Sequence, residues 1–229
     1  MIASPAPSAA RLVLRLLAGV LVLGAVLFGV AGRLDWTEGW LLLALYGGYL
    51  LAILAWAQRR APDLLAERSR RSSNVKRWDV AILRVYGALL GALLVVAALD
   101  ARFQWSSVPP AAEAMGLAGA IASAAVIWWT MEANPFLSRW ARVQTDRGQA
   151  VVSDGPYRYV RHPMYGAIAV LVISVALALG SWFALGPAVL IVALFAVRTV
   201  LEDRMLRDEL PGYREYASRV RNRWWPGIW

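Results

Sequence analysis

Two stretches of the chain gather groups able to bind and to react. The first runs from Gln144 to Tyr165 and includes Gln149, Tyr157, Arg158, Arg161 and His162. Its Gly155-Pro156 pair signals a turn. Pro163 suits the first turn of a helix, where its missing N–H costs nothing. His162 then sits at a helix start, beside unpaired backbone N–H groups that attract carboxylates and other anions. The second stretch, Arg198 to Glu209, sets Arg198 and Glu202 four residues apart on one helical face, with Asp203 adjacent. Each stretch has a purely structural alternative: Tyr, His and Arg at lipid-headgroup level in the first, a plain Arg198–Glu202 salt bridge in the second. Taken together they suit a small zwitterionic cation. A carboxylate can take an ammonium or ribose hydroxyls, a helix start can take a carboxylate, and tyrosine faces can take a sulfonium. Little other chemistry is open. There is no cysteine, which excludes thiolate catalysis and disulfides, and the single histidine excludes a multi-His metal site within one chain. No metal is expected.

The elements that must position these groups are apolar. Of the 229 residues 59% are hydrophobic and only 17% charged, against about 25% charged in a typical soluble domain. Apolar stretches run over Leu12–Ala31, Trp40–Ala57, Val80–Leu99, Ala111–Met131, Tyr165–Leu179 and Trp182–Val197. A span needs about 20 such residues, so the first four qualify alone. The last two are short and separated only by Gly180-Ser181, which predicts a tight helical hairpin. The expected fold is an all-α polytopic membrane bundle of about six transmembrane helices with a cytosolic C-terminal tail. It divides into residues 1–133, carrying the first four helices, and residues 134–229, carrying the two polar stretches, within one membrane domain.

Charge fixes the expected orientation. Basic residues cluster before the first span, between Arg59 and Arg77, between Arg139 and Arg161, and from Arg198 onward, whereas the other side receives only Arg33 and Arg102. By the positive-inside rule both termini are cytosolic, as an even number of spans requires, in an integral membrane protein of the cytoplasmic or inner membrane. A first span cleaved as a signal peptide would leave an odd number. The net charge of +9 points to anionic membrane lipids as partners, not to nucleic acid. Trp36, Trp40, Trp56, Trp78, Trp105 and Trp182 fall near span ends, as interfacial anchors. The loop from Gln58 to Arg77 reads either as a solvated basic loop or as an interfacial amphipathic helix.

At Gly155-Pro156-Tyr157, Arg161-His162-Pro163-Met164-Tyr165, Glu202-Asp203 and Pro211-Gly212-Tyr213, the sequence resembles the isoprenylcysteine carboxyl methyltransferase family, and more loosely the membrane phospholipid methyltransferases. The resemblance covers roughly Asn134 to Trp229. It implies an S-adenosyl-L-methionine-dependent methyltransferase whose cofactor is held on the cytosolic side by Gln144, Gln149, Ala150, Val151, Val152, Tyr157, His162, Pro163, Met164, Tyr165 and Glu202. Arg198 matches the arginine that meets the substrate carboxylate in the prenylcysteine enzymes. Gln149 stands where that family often has histidine. The expected reaction is an in-line displacement on the methyl carbon. The acceptor is lipophilic or a small molecule, reaching the site from the bilayer. A carboxylate acceptor needs no general base; a thiol or amine would need His162 or Glu202 to take its proton. Arg198, His162 and Glu202 are therefore the catalytic candidates. Two alternatives remain: an NADPH-dependent sterol or isoprenoid reductase, whose His-Pro-x-Tyr helix start is similar but has different neighbours, and a non-catalytic membrane scaffold. The sequence does not speak to oligomeric state.

Overall fold

The computed structural model describes residues 9–62 and 75–229. Among them are seven α-helices and two single 3₁₀ turns, with no strand. The helices are α1 (Ala9–Ala31), α2 (Thr37–Arg60), α3 (Arg77–Phe103), α4 (Pro110–Ala133), α5 (Pro163–Ala178), α6 (Leu185–Glu209) and the short α7 (Tyr213–Arg219). Five of them, α1, α2, α3, α4 and α6, are long and apolar enough to cross a membrane. The protein is a polytopic helical membrane protein. Most of the basic loop between α2 and α3, including any interfacial helix there, lies outside the described residues; α2 itself continues to Arg60.

Helix ends follow local chemistry. α4 and α5 both open on proline, at Pro110 and Pro163. α3 stops where Gln104 turns left-handed (φ 54°), and α6 stops before Pro211-Gly212, where Gly212 has φ 80° and lets the chain reverse into α7.

α5 has only 16 residues, short of a full span, yet it runs the depth of the bundle. At its far end Ser181 donates to Asp100 near the end of α3 (2.6 Å). At its near end Tyr165 lies beneath Arg198, which pairs with Asp79 at the start of α3. Asp79 and Asp100 are 21 residues apart, about 31 Å along a helix, close to the hydrocarbon thickness of a bilayer. The hairpin turn is wider than the sequence predicted. Gly180 turns left-handed, the Ser181 hydroxyl accepts from Ala184 N–H (3.1 Å), and α6 begins at Leu185, leaving Trp182 and Phe183 in the turn.

Packing runs α2–α1–α3–α6–α5–α4, with light contacts from α2 back to α4 and α5. Leu27, Leu93, Ala97, Ala176, Ala188, Ile191 and Phe195 form its buried centre. The closest helix pair is α4–α5. A Cβ on Gly116 would stand 2.6 Å from the Ala178 nitrogen and 2.7 Å from the Ser174 oxygen, and one on Gly119 would collide with the Ser174 hydroxyl. Ala120 and Ser123 continue this buried small-residue stripe. In lipid, where apolar surface gives helices no reason to leave the tails, such close backbone approach is what joins them.

Gly116→Leu is therefore expected to force α4 off α5 and lower stability by about 1–3 kcal/mol, the usual range for overpacking. Gly91→Ala, whose added methyl meets nothing, should leave the unfolding temperature essentially unchanged. Thermal unfolding in detergent separates the two.

Candidate active site

The site is built where three elements end on one side of the bundle. The start of α5 presents His162, Pro163, Met164 and Tyr165. The later turns of α6 present Arg198, Glu202 and Asp203. The connecting segment from Asn134 to Val152 folds across them. Between these lies a cavity of about 440 Å³, within the range of small-molecule sites. Every residue assigned to the cofactor or to catalysis in the sequence lines it: Gln144, Gln149, Ala150, Val151, Val152, Tyr157, His162, Pro163, Met164, Tyr165, Arg198 and Glu202. Its inner end is apolar, with Leu83, Tyr86 and Gly87 of α3, Ile168 of α5 and Phe195 of α6.

His162 occupies the N-cap position of α5, and its ring stacks on Tyr165, 5.6 Å between centroids and 8° from parallel. The Tyr165 hydroxyl donates to Glu202. Glu202 has no basic partner among the described residues, so its charge faces the cavity. Arg198 does not pair with it. Instead the guanidinium turns to Asp79, Nε to Oδ1 at 2.8 Å, and donates from Nη2 to the Arg139 carbonyl (3.1 Å). The salt bridge weighed between Arg198 and Glu202 is thus replaced by one to α3, which leaves Glu202 open.

Asp203 points away from Glu202, because adjacent residues on a helix lie about 100° apart. It receives Arg161 at both oxygens (2.8 and 3.1 Å), the Tyr213 hydroxyl (2.9 Å) and Arg207 (3.2 Å), and lies 3.4 Å from His162 Nε2. Arg161 also donates to the carbonyls of Val220 and Arg221, both at 2.7 Å, and the His162 N–H donates to Arg223 (2.8 Å). This binds the tail to the helix start. The Trp224 indole N–H closes the same layer on the Thr199 hydroxyl (2.8 Å).

The connecting segment is held by its own amides. The buried Gln144 side chain donates to the Phe136 carbonyl and accepts from Arg147 (2.7 Å), while Gln149 Oε1 accepts from the Gln144 N–H (2.7 Å). Gln149, which stands where the prenylcysteine enzymes often have histidine, thus closes the 3₁₀ turn at Thr145–Arg147. The Tyr157 hydroxyl accepts from Asn134 (2.9 Å) and its carbonyl from Tyr216 (2.7 Å). Burial pushes the Tyr157 phenol above its usual range, and burial with the nearby Asp203 does the same for Tyr213; both remain neutral at physiological pH.

Residues 114–210 match the family model described as phospholipid methyltransferase. The matched segment spans most of α4, the connecting segment, α5 and α6, hence nearly all of the cavity wall. That segment, under half of the chain, is similar to the membrane phospholipid methyltransferases. No curated protein matches it closely enough to add to this. The cavity collects the sequence-derived residues within the matched segment and adds several, inside and outside it, that sequence reasoning passed over. Asp79 lies outside the domain, in α3. A carboxylate within the first turn of a span was its only signal, since such groups face a cavity or a partner. Tyr213 and Tyr216 gave no signal beyond the tail motif itself, and Arg161, visible beside His162, gave none of its partner Asp203.

Asp203→Asn removes the carboxylate that several buried donors share and leaves Arg161 uncompensated. We expect a loss of about 3–5 kcal/mol, as for other broken buried pairs, measurable as a large fall in unfolding temperature. An unchanged unfolding temperature would show that the cluster is not holding the tail to α5.

Proposed function

We propose that the protein transfers a methyl group from S-adenosyl-L-methionine to a lipophilic or small-molecule acceptor at the cytosolic face of its membrane. The observation that carries this reading is Glu202: a carboxylate in the cavity wall, without a cationic partner, beside two stacked rings and a helix start.

These groups fit the cofactor by chemistry. Glu202 takes its ammonium or its ribose hydroxyls, and the backbone N–H groups opening α5 beside His162 take its carboxylate. The faces of Tyr165 and His162 suit a sulfonium. Gln144, Gln149, the chain from Ala150 to Val152 and Tyr157 would hold the nucleoside. Bound there, S-adenosyl-L-methionine supplies an already activated methyl group. The protein's own contribution is to position and to exclude water. The apolar floor formed by Leu83, Tyr86, Gly87, Ile168 and Phe195 accepts the hydrocarbon part of the acceptor arriving from the bilayer, and Arg198 stands at the end where its reacting group comes to rest. For an acceptor that must shed a proton, His162 and Glu202 are within the same cavity to receive it. Both termini lie on the cytosolic side in this reading, because the arginines flank the site.

Calorimetric titration in detergent tests the site. Wild-type protein is expected to bind S-adenosyl-L-methionine, and Glu202→Ala and His162→Ala to weaken binding by about tenfold or more, roughly the loss of one charge-assisted contact. Wild-type affinity in both variants would overturn the assignment.

A further inference from the structure

Resting on the methyltransferase reading, we infer that Asp79 sets the acceptor class: by neutralising Arg198 it tunes the site to a nucleophile without negative charge and excludes carboxylates.

The argument begins with protonation. Asp79 is fully buried, and both of its oxygens accept hydrogen bonds, Oδ1 from Arg198 Nε (2.8 Å) and Oδ2 from the Ala141 N–H (2.8 Å). A carboxylic acid would have to donate from one of them, so the group is a carboxylate. The guanidinium above it is itself 5% exposed. Its Nε and Nη2 are taken, and its plane lies 5.1 Å from the Tyr165 ring and 5.8 Å from Phe195. With its counter-charge in place, the Arg198–Asp79 pair turns toward the cavity a donor but no net positive charge to draw an anion.

The rest of the inner wall points the same way. The other guanidiniums lining the cavity are Arg142 and Arg161, which pair with Asp146 and Asp203, and Arg139, whose side chain stacks on Trp140. Glu202 adds a second negative charge beside Arg198. Asp79, Glu202 and Arg198 together therefore carry one net negative charge. A bound cofactor with a single net positive charge brings that to neutrality. A carboxylate placed beside Arg198 would face Glu202 and Asp79, while the one lining guanidinium without an acidic partner among the described residues, Arg139, is exposed and spent on the Trp140 ring; like charges brought together in a partly dry site cost several kcal/mol. An amine, thiol or hydroxyl meets no such cost. Asp79 comes from α3, so the acceptor preference is set by a helix outside the matched domain.

The test compares two chains of equal length. Wild-type and Asp79→Asn proteins in neutral detergent, loaded with S-adenosylhomocysteine, are titrated with dodecanoate and with dodecylamine. Wild type should bind the amine at least about tenfold more tightly than the carboxylate, and Asp79→Asn should reverse that order, because asparagine keeps the contact to Ala141 but frees the charge of Arg198. Wild-type preference for dodecanoate, or a preference unmoved by the substitution, overturns the proposal. If the variant does not fold, the wild-type comparison decides alone. In parallel, methyl-labelled S-adenosyl-L-methionine is incubated with wild type and a total lipid extract, and the labelled lipid is treated with mild alkali. Methyl groups on nitrogen, sulfur or ether oxygen survive, as the inference requires; methyl esters are hydrolysed, and an alkali-labile product refutes it while leaving the methyltransferase reading intact. Failure of wild type to bind S-adenosylhomocysteine strikes at that reading instead, and the same titrations on unloaded protein still decide the role of Asp79.

Discussion

A charge brought to the edge of a bilayer's hydrocarbon must be answered within the protein, since neither lipid tails nor bulk water will solvate it. In this bundle two carboxylates do so, and the site hangs from them. Asp79 fixes Arg198 and so ties α3 to α6 at the level of the cavity. Asp203 gathers Arg161, Arg207, Tyr213 and His162, and so ties α6 to the start of α5, to α7 and to the tail. Removing either carboxylate would leave a buried guanidinium with nothing opposite it, which is more costly than never having placed the pair. The geometry of the cavity is thus a consequence of charge matching.

At the other end of the molecule the same logic works with weaker groups. Asp100 accepts from Ser106 N–H (2.8 Å), from the Ser106 hydroxyl (2.5 Å) and from Ser181 (2.6 Å), holding the α5–α6 turn against the end of α3. No cation stands opposite it among the described residues; three hydrogen bonds meet the buried side chain instead. With both ends of α3 fixed, and with Gly116 and Gly119 admitting α5 against α4, a helix of only 16 residues is carried through the bundle by its neighbours. Its shortness then has a use. It brings His162 and Tyr165 to the depth of Arg198 and Glu202.

Much of this was legible in the sequence. Apolar runs of about 20 residues gave the long helices because backbone hydrogen bonding in lipid leaves few alternatives to a helix. Pro163 marked the start of α5, since proline is at ease only in the first turn. The polar stretches before α5 and within α6 meet as expected because the hairpin between them is short. Partners were harder to read. Arg198 and Glu202 share a helical face and looked paired, but face-sharing fixes neighbours only within one helix. The stronger partner came from 119 residues away, across an interface that no spacing encodes. Gln144 and Gln149 line the cavity, and the Gln144 amide and the Gln149 Oε1 also shape the loop that carries them, a second role that position in the sequence does not disclose.

The pair Glu202-Asp203 condenses the design. Two carboxylates adjacent in sequence differ by one helical step, and that step sends one into the cavity and the other into the scaffold. Asp203 is met on every side and therefore contributes rigidity; Glu202 is met only by the Tyr165 hydroxyl and therefore retains a charge to use. The contrast has a physical reason. An open carboxylate at a membrane boundary is tolerable only if its surroundings cannot collapse onto it, and the cluster around Asp203 ties α5, α6 and the tail to one another, so that they frame the cavity as one rigid wall. Binding capacity at one residue thus depends on saturation at the next.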